Sequence, residues 1–143
     1  MNPMNPLSDF VMLAFYAVVF LFLLWPLGVV TAIAGCCTVY FGIIEPPERF
    51  RDSIRVALLQ LTVPMAALLW GTLWQRKVGA PQPPDWVLNV NAALLVAHVV
   101  TVVFLVFKHK RARPLLLAFS LTLLCLSVSS VLVSNGSISG DWP

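Results

Sequence analysis

FVMLAFYAVVFLFLLWPLGVVTAIAGCCTVYFGII runs from Phe10 to Ile44 without one charged side chain. As a single helix it would exceed about 50 Å, against a bilayer hydrocarbon core of about 30 Å. One ordinary span cannot use all of it, and two full spans need more residues. Pro26, within Trp25-Pro26-Leu27-Gly28, lacks a backbone donor and offers a kink near the middle. The stretch therefore reads as a span from about Leu7 to Thr31 that continues as a bent helix to about Ile44. A re-entrant second half is the other reading.

The rest of the chain agrees with a lipid setting. Of 143 residues, 59% are hydrophobic and only 10% charged, with a mean hydropathy of +0.90. A water-facing domain carries roughly a quarter charged residues. The net charge of +3 is confined to short connections and helix ends, so it implies no nucleic-acid partner. Pro46-Pro47 interrupts the chain, and Pro47 suits the first turn of a second helix. That helix opens on Glu48, Arg49, Arg51, Asp52 and Arg55, with Phe50 and Ile54 sharing one face, and crosses the membrane over about 53–74. Pro64 deprives the Gln60 carbonyl of its usual donor, and the Gln60 side chain sits on the same turn.

A Pro-rich loop leads to Asp85, expected to cap a third span over about 86–107, and a basic turn precedes a fourth over about 115–133. The polar tail from Ser134 is expected to be poorly ordered. The expected fold is an all-α integral membrane protein, a four-transmembrane-helix bundle with a long first helix kinked at Pro26.

Charge placement gives an orientation. Arg49, Arg51, Arg55, Lys108, Lys110, Arg111 and Arg113 fall on one side, and only Arg76 and Lys77 on the other. The positive-inside rule puts the seven in the cytoplasm and both termini outside. Trp70, Trp74, Trp86 and Trp142 fall at the outer boundary, as an aromatic belt would. The small loops favour a bacterial inner membrane. The N-terminus lacks a basic leader region, so the first span is expected to be retained.

Few residues bear chemistry. His98 lies near the middle of the third span, where an ionisable group is a candidate by default. Asn91, His98 and Thr101 share one helical face, and with Gln60 they form the candidate ligand site. Against this stands a structural role, a neutral His98 bonded to a neighbouring helix. In the fourth span, Thr122, Cys125 and Ser129 form one small-polar stripe, and Ser120, Ser127, Ser130 and Ser134 another. Such stripes allow close helix approach, with one served internally and the other by a partner. Arg49, Arg51 and Arg55 are candidates for lipid headgroup contact. Cys36 and Cys37 are expected to be small buried packing residues.

The absences exclude more. All six acidic residues lie at span ends or in connections, which removes the usual coupling group of an ion-driven transporter. No HExxH, Walker or GxSxG motif is present, no Cys/His cluster suggests a metal, and a second histidine at the depth of haem ligation is missing. No cofactor is expected. Four-span glutathione-using enzymes of eicosanoid metabolism carry Asn and Glu beside Arg in the second helix, whereas Arg55 to Pro64 contains neither. Small multidrug antiporters need a glutamate in the first span, also absent.

The sequence therefore favours a non-enzymatic accessory subunit or partner-binding protein. It would act by helix packing within the bilayer, against another membrane protein or its own copies. A bacterial immunity protein is one special case. The alternative is a protein binding a small molecule, lipid or quinone on the face around His98.

Overall fold

A computed structural model describes residues 6–44, 46–76, 81–108 and 113–140. Among these the chain is all helix, with no strand. The helices are α1 (Pro6–Leu23), α2 (Trp25–Ile44), α3 (Pro47–Gln60), α4 (Thr62–Leu73), α5 (Asp85–Lys108) and α6 (Arg113–Ser139). Lys77, His109, Lys110, Arg111, Asp141 and Trp142 lie outside the described residues. Among the described residues, five helices are long and apolar enough to cross a membrane: α1, α2, the run Phe50–Leu73, α5 and α6. Four were expected, and the additional one comes from the opening apolar stretch.

That stretch is not one bent helix but two helices meeting at Leu24. The Leu24 N–H donates to the Phe20 carbonyl at 2.9 Å, and the Gly28 N–H donates to the Leu24 carbonyl at 3.0 Å. Between them Pro26 supplies no donor, and its ring repels the carbonyl four residues earlier, at Phe22. The turn is tight. A Cβ on Gly28 would lie 3.2 Å from the Phe22 carbonyl oxygen and 3.3 Å from that of Leu21. Glycine at this position lets α2 start this close to the end of α1.

The two helices follow one another along α6. On α1, Leu13, Ala17 and Leu21 are buried on one face, and Leu13 and Ala17 form a core with Leu68 and Val133. The Ser129 hydroxyl donates to the Ala17 carbonyl. On α2, Ala34, Cys37 and Phe41 share an apolar groove with Pro114, Leu117 and Ala118. Thus α1 lies beside the C-terminal half of α6 and α2 beside its N-terminal half. Pro6 and Ser139 consequently lie at the same end of the bundle.

A second break, milder, separates α3 from α4 three residues before Pro64. The Leu61 N–H tightens onto the Leu58 carbonyl at 3.1 Å, and the helix resumes with Met65 N–H to Leu61 carbonyl at 3.3 Å. As expected, α3 starts at Pro47, with proline in the first turn. Helix α5 starts at Asp85.

Helix α6 is the axis of the molecule, packed on by each of the other five helices. Its 27 residues extend roughly 40 Å. It does not stop near Val133. Ser134 to Ser139 continues the helix, with Ser134, Ser137 and Ile138 buried, so the expectation of a loose tail beginning there is corrected. The polar side chains of this last turn find partners inside the protein, which removes the reason for them to stay in water.

A buried polar seam as the candidate functional site

Ser120, Ser127 and Ser134 are seven residues apart on α6, which brings them to one face over four turns. All three are fully buried. Each meets a polar side chain from another helix. Gln60 Nε2 donates to Ser120 Oγ at 2.9 Å, His98 Nδ1 lies 2.6 Å from Ser127 Oγ, and Asn91 Nδ2 donates to Ser134 Oγ at 2.8 Å.

The lower two contacts join into one chain. His98 Nε2 lies 3.3 Å from Gln60 Oε1, so Ser120, Gln60, His98 and Ser127 link α3, α5 and α6. The amide of Gln60 orients it: with its nitrogen turned to Ser120, its oxygen can only accept. The Nε2 position of His98 must therefore carry a proton, and in a neutral imidazole Nδ1 then accepts from the Ser127 hydroxyl. Both His98 and Gln60 are almost completely buried. The break at Leu61 follows directly after Gln60, so the side chain leaves α3 where the helix is already interrupted.

The upper contact belongs to a denser polar end. Asn91 Nδ2 also donates to Asn135 Oδ1 at 2.7 Å, while its own Oδ1 is buried with no partner. Helices α4 and α6 touch closely here: a Cβ on Gly71 would lie 2.7 Å from Ser134 Oγ and 2.9 Å from its Cα. The Ser137 hydroxyl donates to the Gly71 carbonyl at 3.3 Å. Arg76 then closes the C-terminal end of α6. Its backbone N–H donates to the Ser137 carbonyl at 3.0 Å and its guanidinium to the Ser139 carbonyl at 2.6 Å. A cation at the carbonyl end of a long helix also complements the helix dipole. Beside it, the rings of Trp70, Trp74 and Trp86 cluster with centroids 5.4–6.0 Å apart, and Trp70 Nε1 donates to the Val87 carbonyl at 2.9 Å.

The seam unites Gln60, Asn91 and His98 from the candidate ligand site, but not Thr101. Thr101 is exposed and donates to the Ala97 carbonyl one turn back at 2.8 Å. On α5 only Val87, Asn91 and His98 are buried, an arc of about 40° that leaves Thr101 about 40° beyond its edge.

The small-polar stripes of α6 also lie differently from expectation. Ser120, Ser127, Ser129, Ser130 and Ser134 are fully buried and Cys125 nearly so, while Thr122 is half-buried and donates to the Ala118 carbonyl. Both stripes are used by the chain's own helices, so none of the serines presents a face to a partner. The reason is topological: a helix packed on by five others turns most of its surface inward, leaving residues such as Leu117 and Leu132 to face out. Sequence spacing reveals that a helix has two packing faces, not whose helices fill them. Cys36 is exposed and Cys37 half-buried, against the expected burial, and both are free thiols. Arg51 and Arg55 are exposed on α3, the helix that also carries Arg49.

Chemically the seam has one suggestive geometry. Ser127 Oγ, His98 and Gln60 stand as hydroxyl, imidazole and orienting carbonyl, the order of a nucleophile, base and positioning group. However, all three are buried at or below 1% exposure, and none of them lines the groove between α2 and α6 or the small cavity between α1, α4 and α6. Among the described residues no group of three His, Cys, Asp or Glu is placed to hold a metal ion. The arrangement satisfies polar atoms in a lipid-like interior and locks three helices in register. Comparison with models of protein families, with curated proteins and with solved structures finds no match for this chain.

Proposed function

We propose that the chain is a small integral membrane accessory protein that acts by helix contact within the bilayer and has no catalytic centre of its own. The observation that carries this reading is the closure of the polar interior. Gln60, His98 and Asn91, the side chains most open to a chemical role, are buried and bonded to other helices of the same chain. What remains for a partner is the outer surface. There α2 is the least committed helix, with Ala34 its single buried residue among the described side chains. The groups of α2 that face outward include Ala32, Cys36 and Val39. A Cβ at nearby Gly35 would meet nothing within 4 Å. Small outward residues let another helix approach closely.

On this reading α1 and α2 in series make one crossing, and the chain crosses four times in a bacterial inner membrane. Both ends face the periplasm and the basic end faces the cytoplasm, where Arg51 and Arg55, with Arg49, meet anionic headgroups. The partner is another membrane protein or a second copy, and an immunity-type protein that blocks a membrane-active toxin is one form of it.

A photo-crosslinking residue at Val39 or Ile43 tests the surface in intact membranes, with Leu69 on α4 as comparison. One discrete protein adduct from α2 positions is expected. Lipid adducts alone, together with a lone monodisperse monomer in mild detergent, would remove the proposal. Cysteine labelling from either side, after Cys36, Cys37 and Cys125 are replaced, tests topology. Positions 7, 82 and 139 should label from outside, and position 51 from inside.

A further inference from the structure

A groove of about 430 Å³ runs between α2, the end of α5 and the first part of α6. It exists because α2 and α5 both pack on α6 but scarcely on each other. Buried Ala34 and Ala118 form its floor, while Ile33 on α2 and Leu117 on α6 stand exposed at its rim. Phe41 and Val106 line it further along, and the one heteroatom among the lining side chains is the Cys37 sulfur. From Ile33 to Phe41 the groove follows α2 for roughly 12 Å. Phe41 lies three residues before the end of α2, Val106 two before the end of α5, and Pro114 one after the start of α6. The groove therefore opens at the basic end of the bundle. By sequence that end carries Arg49, Arg51, Arg55, Lys108, Lys110, Arg111 and Arg113 against three acids, Glu45, Glu48 and Asp52. Among the described side chains, Arg51, Arg55 and Lys108 are exposed there, with Glu48 and Asp52.

We infer that this groove seats one acyl chain of an anionic phospholipid, whose headgroup is retained by the positive end of the bundle. Its volume is that of a ligand site, and its length selects a chain over a helix. A helix crossing the bilayer needs a face of about 30 Å, whereas the groove covers most of one leaflet's share of the hydrocarbon core and stops. Its apolar lining offers nothing to a polar ligand. The chain alone gains little by entering, because lipid tails are as apolar outside the groove as within it. What raises one lipid above the others is the charge of its headgroup, which lies within a Debye length of the basic residues. This goes beyond contact between α3 arginines and passing headgroups, since one lipid is held in a fixed place. The groove lies on the opposite side of α2 from Ala32, Cys36 and Val39, so it and the partner face can fail separately.

The test uses the full-length protein in phosphatidylcholine nanodiscs that contain a trace of a photoactivatable lipid. Two probes carry a diazirine in the same acyl chain, one on a phosphatidylglycerol and one on a phosphatidylcholine, and adducts are mapped by peptide mass spectrometry. Phosphatidylglycerol adducts are expected to concentrate in segments 33–41 and 114–121. There they should exceed phosphatidylcholine adducts about fivefold, the preference that one basic residue gives a singly charged headgroup. Unlabelled phosphatidylglycerol should compete, and high salt should shrink the preference. Leu117→Trp, at the exposed rim, should lower these adducts about threefold or more, while Leu132→Trp, exposed on the same helix outside the groove, should not. The map in the unsubstituted protein gives an answer even if a variant folds poorly. Equal labelling by the two probes, or adducts spread evenly over the exposed helix faces, would overturn the inference. So would a groove without adducts, which would mean that protein covers it.

Discussion

Replacing His98 by leucine is the sharpest probe of the seam. Leucine is close to imidazole in volume, so the packing change is small and the loss is mainly polar. Two contacts disappear, the one to Ser127 Oγ at 2.6 Å and the one to Gln60 Oε1 at 3.3 Å. Side-chain hydrogen bonds within membranes contribute about 0.6 kcal/mol on average and about 1.7 kcal/mol at most. Two of them give a destabilisation of about 1–3 kcal/mol. The two halves should not be equal. Ser127 can turn its hydroxyl to a carbonyl one helical turn below, which softens the loss of the imidazole on that side. The Gln60 oxygen has no such escape while its nitrogen is held by Ser120. Double-mutant cycles separate these effects, because they report the pair rather than the repair. The shorter contact should give the larger coupling, about 1 kcal/mol for His98→Leu with Ser127→Ala. His98→Leu with Gln60→Leu should give roughly half of that. Reversible unfolding in mixed micelles, followed by helicity and by the fluorescence of the Trp70–Trp74–Trp86 cluster, measures both cycles. Couplings indistinguishable from zero, or a Gln60 coupling above that of Ser127, would refute the hydrogen-bonded chain.

Gly71→Ala should cost about 1–3 kcal/mol in the same assay, because its Cβ would press on the Ser134 backbone at 2.9 Å. Gly35→Ala, with open space around it, should leave stability unchanged or raise it by up to about 1 kcal/mol. Ser127 should resist a fluorophosphonate probe in intact membranes and in mild detergent, since hydroxyl and imidazole are sealed in the bundle; stoichiometric labelling, absent in Ser127→Ala, would make the dyad catalytic. Arg76→Ala should destabilise by about 1 kcal/mol and speed amide exchange over Ser137 to Gly140, because the Ser139 carbonyl loses its guanidinium donor while the backbone bond to Ser137 stays; unchanged exchange there would show that the arginine side chain does not hold the helix end.

Much of this architecture is written in local chemistry. The start of α3 at Pro47, the start of α5 at Asp85 and an interruption beside Pro64 all follow from residues whose backbone preferences act over one turn. The same holds for the trouble at Pro26, but its size does not. A proline reports that a hydrogen bond is missing, while the angle of the bend depends on how closely the two sides can then approach. That closeness rests on Gly28, two residues on, against carbonyls of α1. Sequence alone does not tell Gly28 from Gly35, although one packs on a backbone and the other on nothing.

The site shows where sequence reading stops in a membrane protein. In water, the apolar face of a helix points inward and its polar face outward, so burial can be read from the pattern. In lipid both faces are apolar, and that contrast vanishes. Only polar side chains still carry directional information, because lipid offers them no partner. This is why Gln60, Asn91 and His98 were legible as inward-facing, while the exposure of α2 was not. Thr101 marks the edge of the rule: a threonine satisfies itself on the carbonyl of Ala97 and so can face lipid. Serine has the same freedom, yet Ser120, Ser127 and Ser134 turn inward because Gln60, His98 and Asn91 have no way to satisfy themselves within their own helices. The seam is thus dictated by its long side chains, and the serines of α6 are the small groups that let those side chains close the bundle.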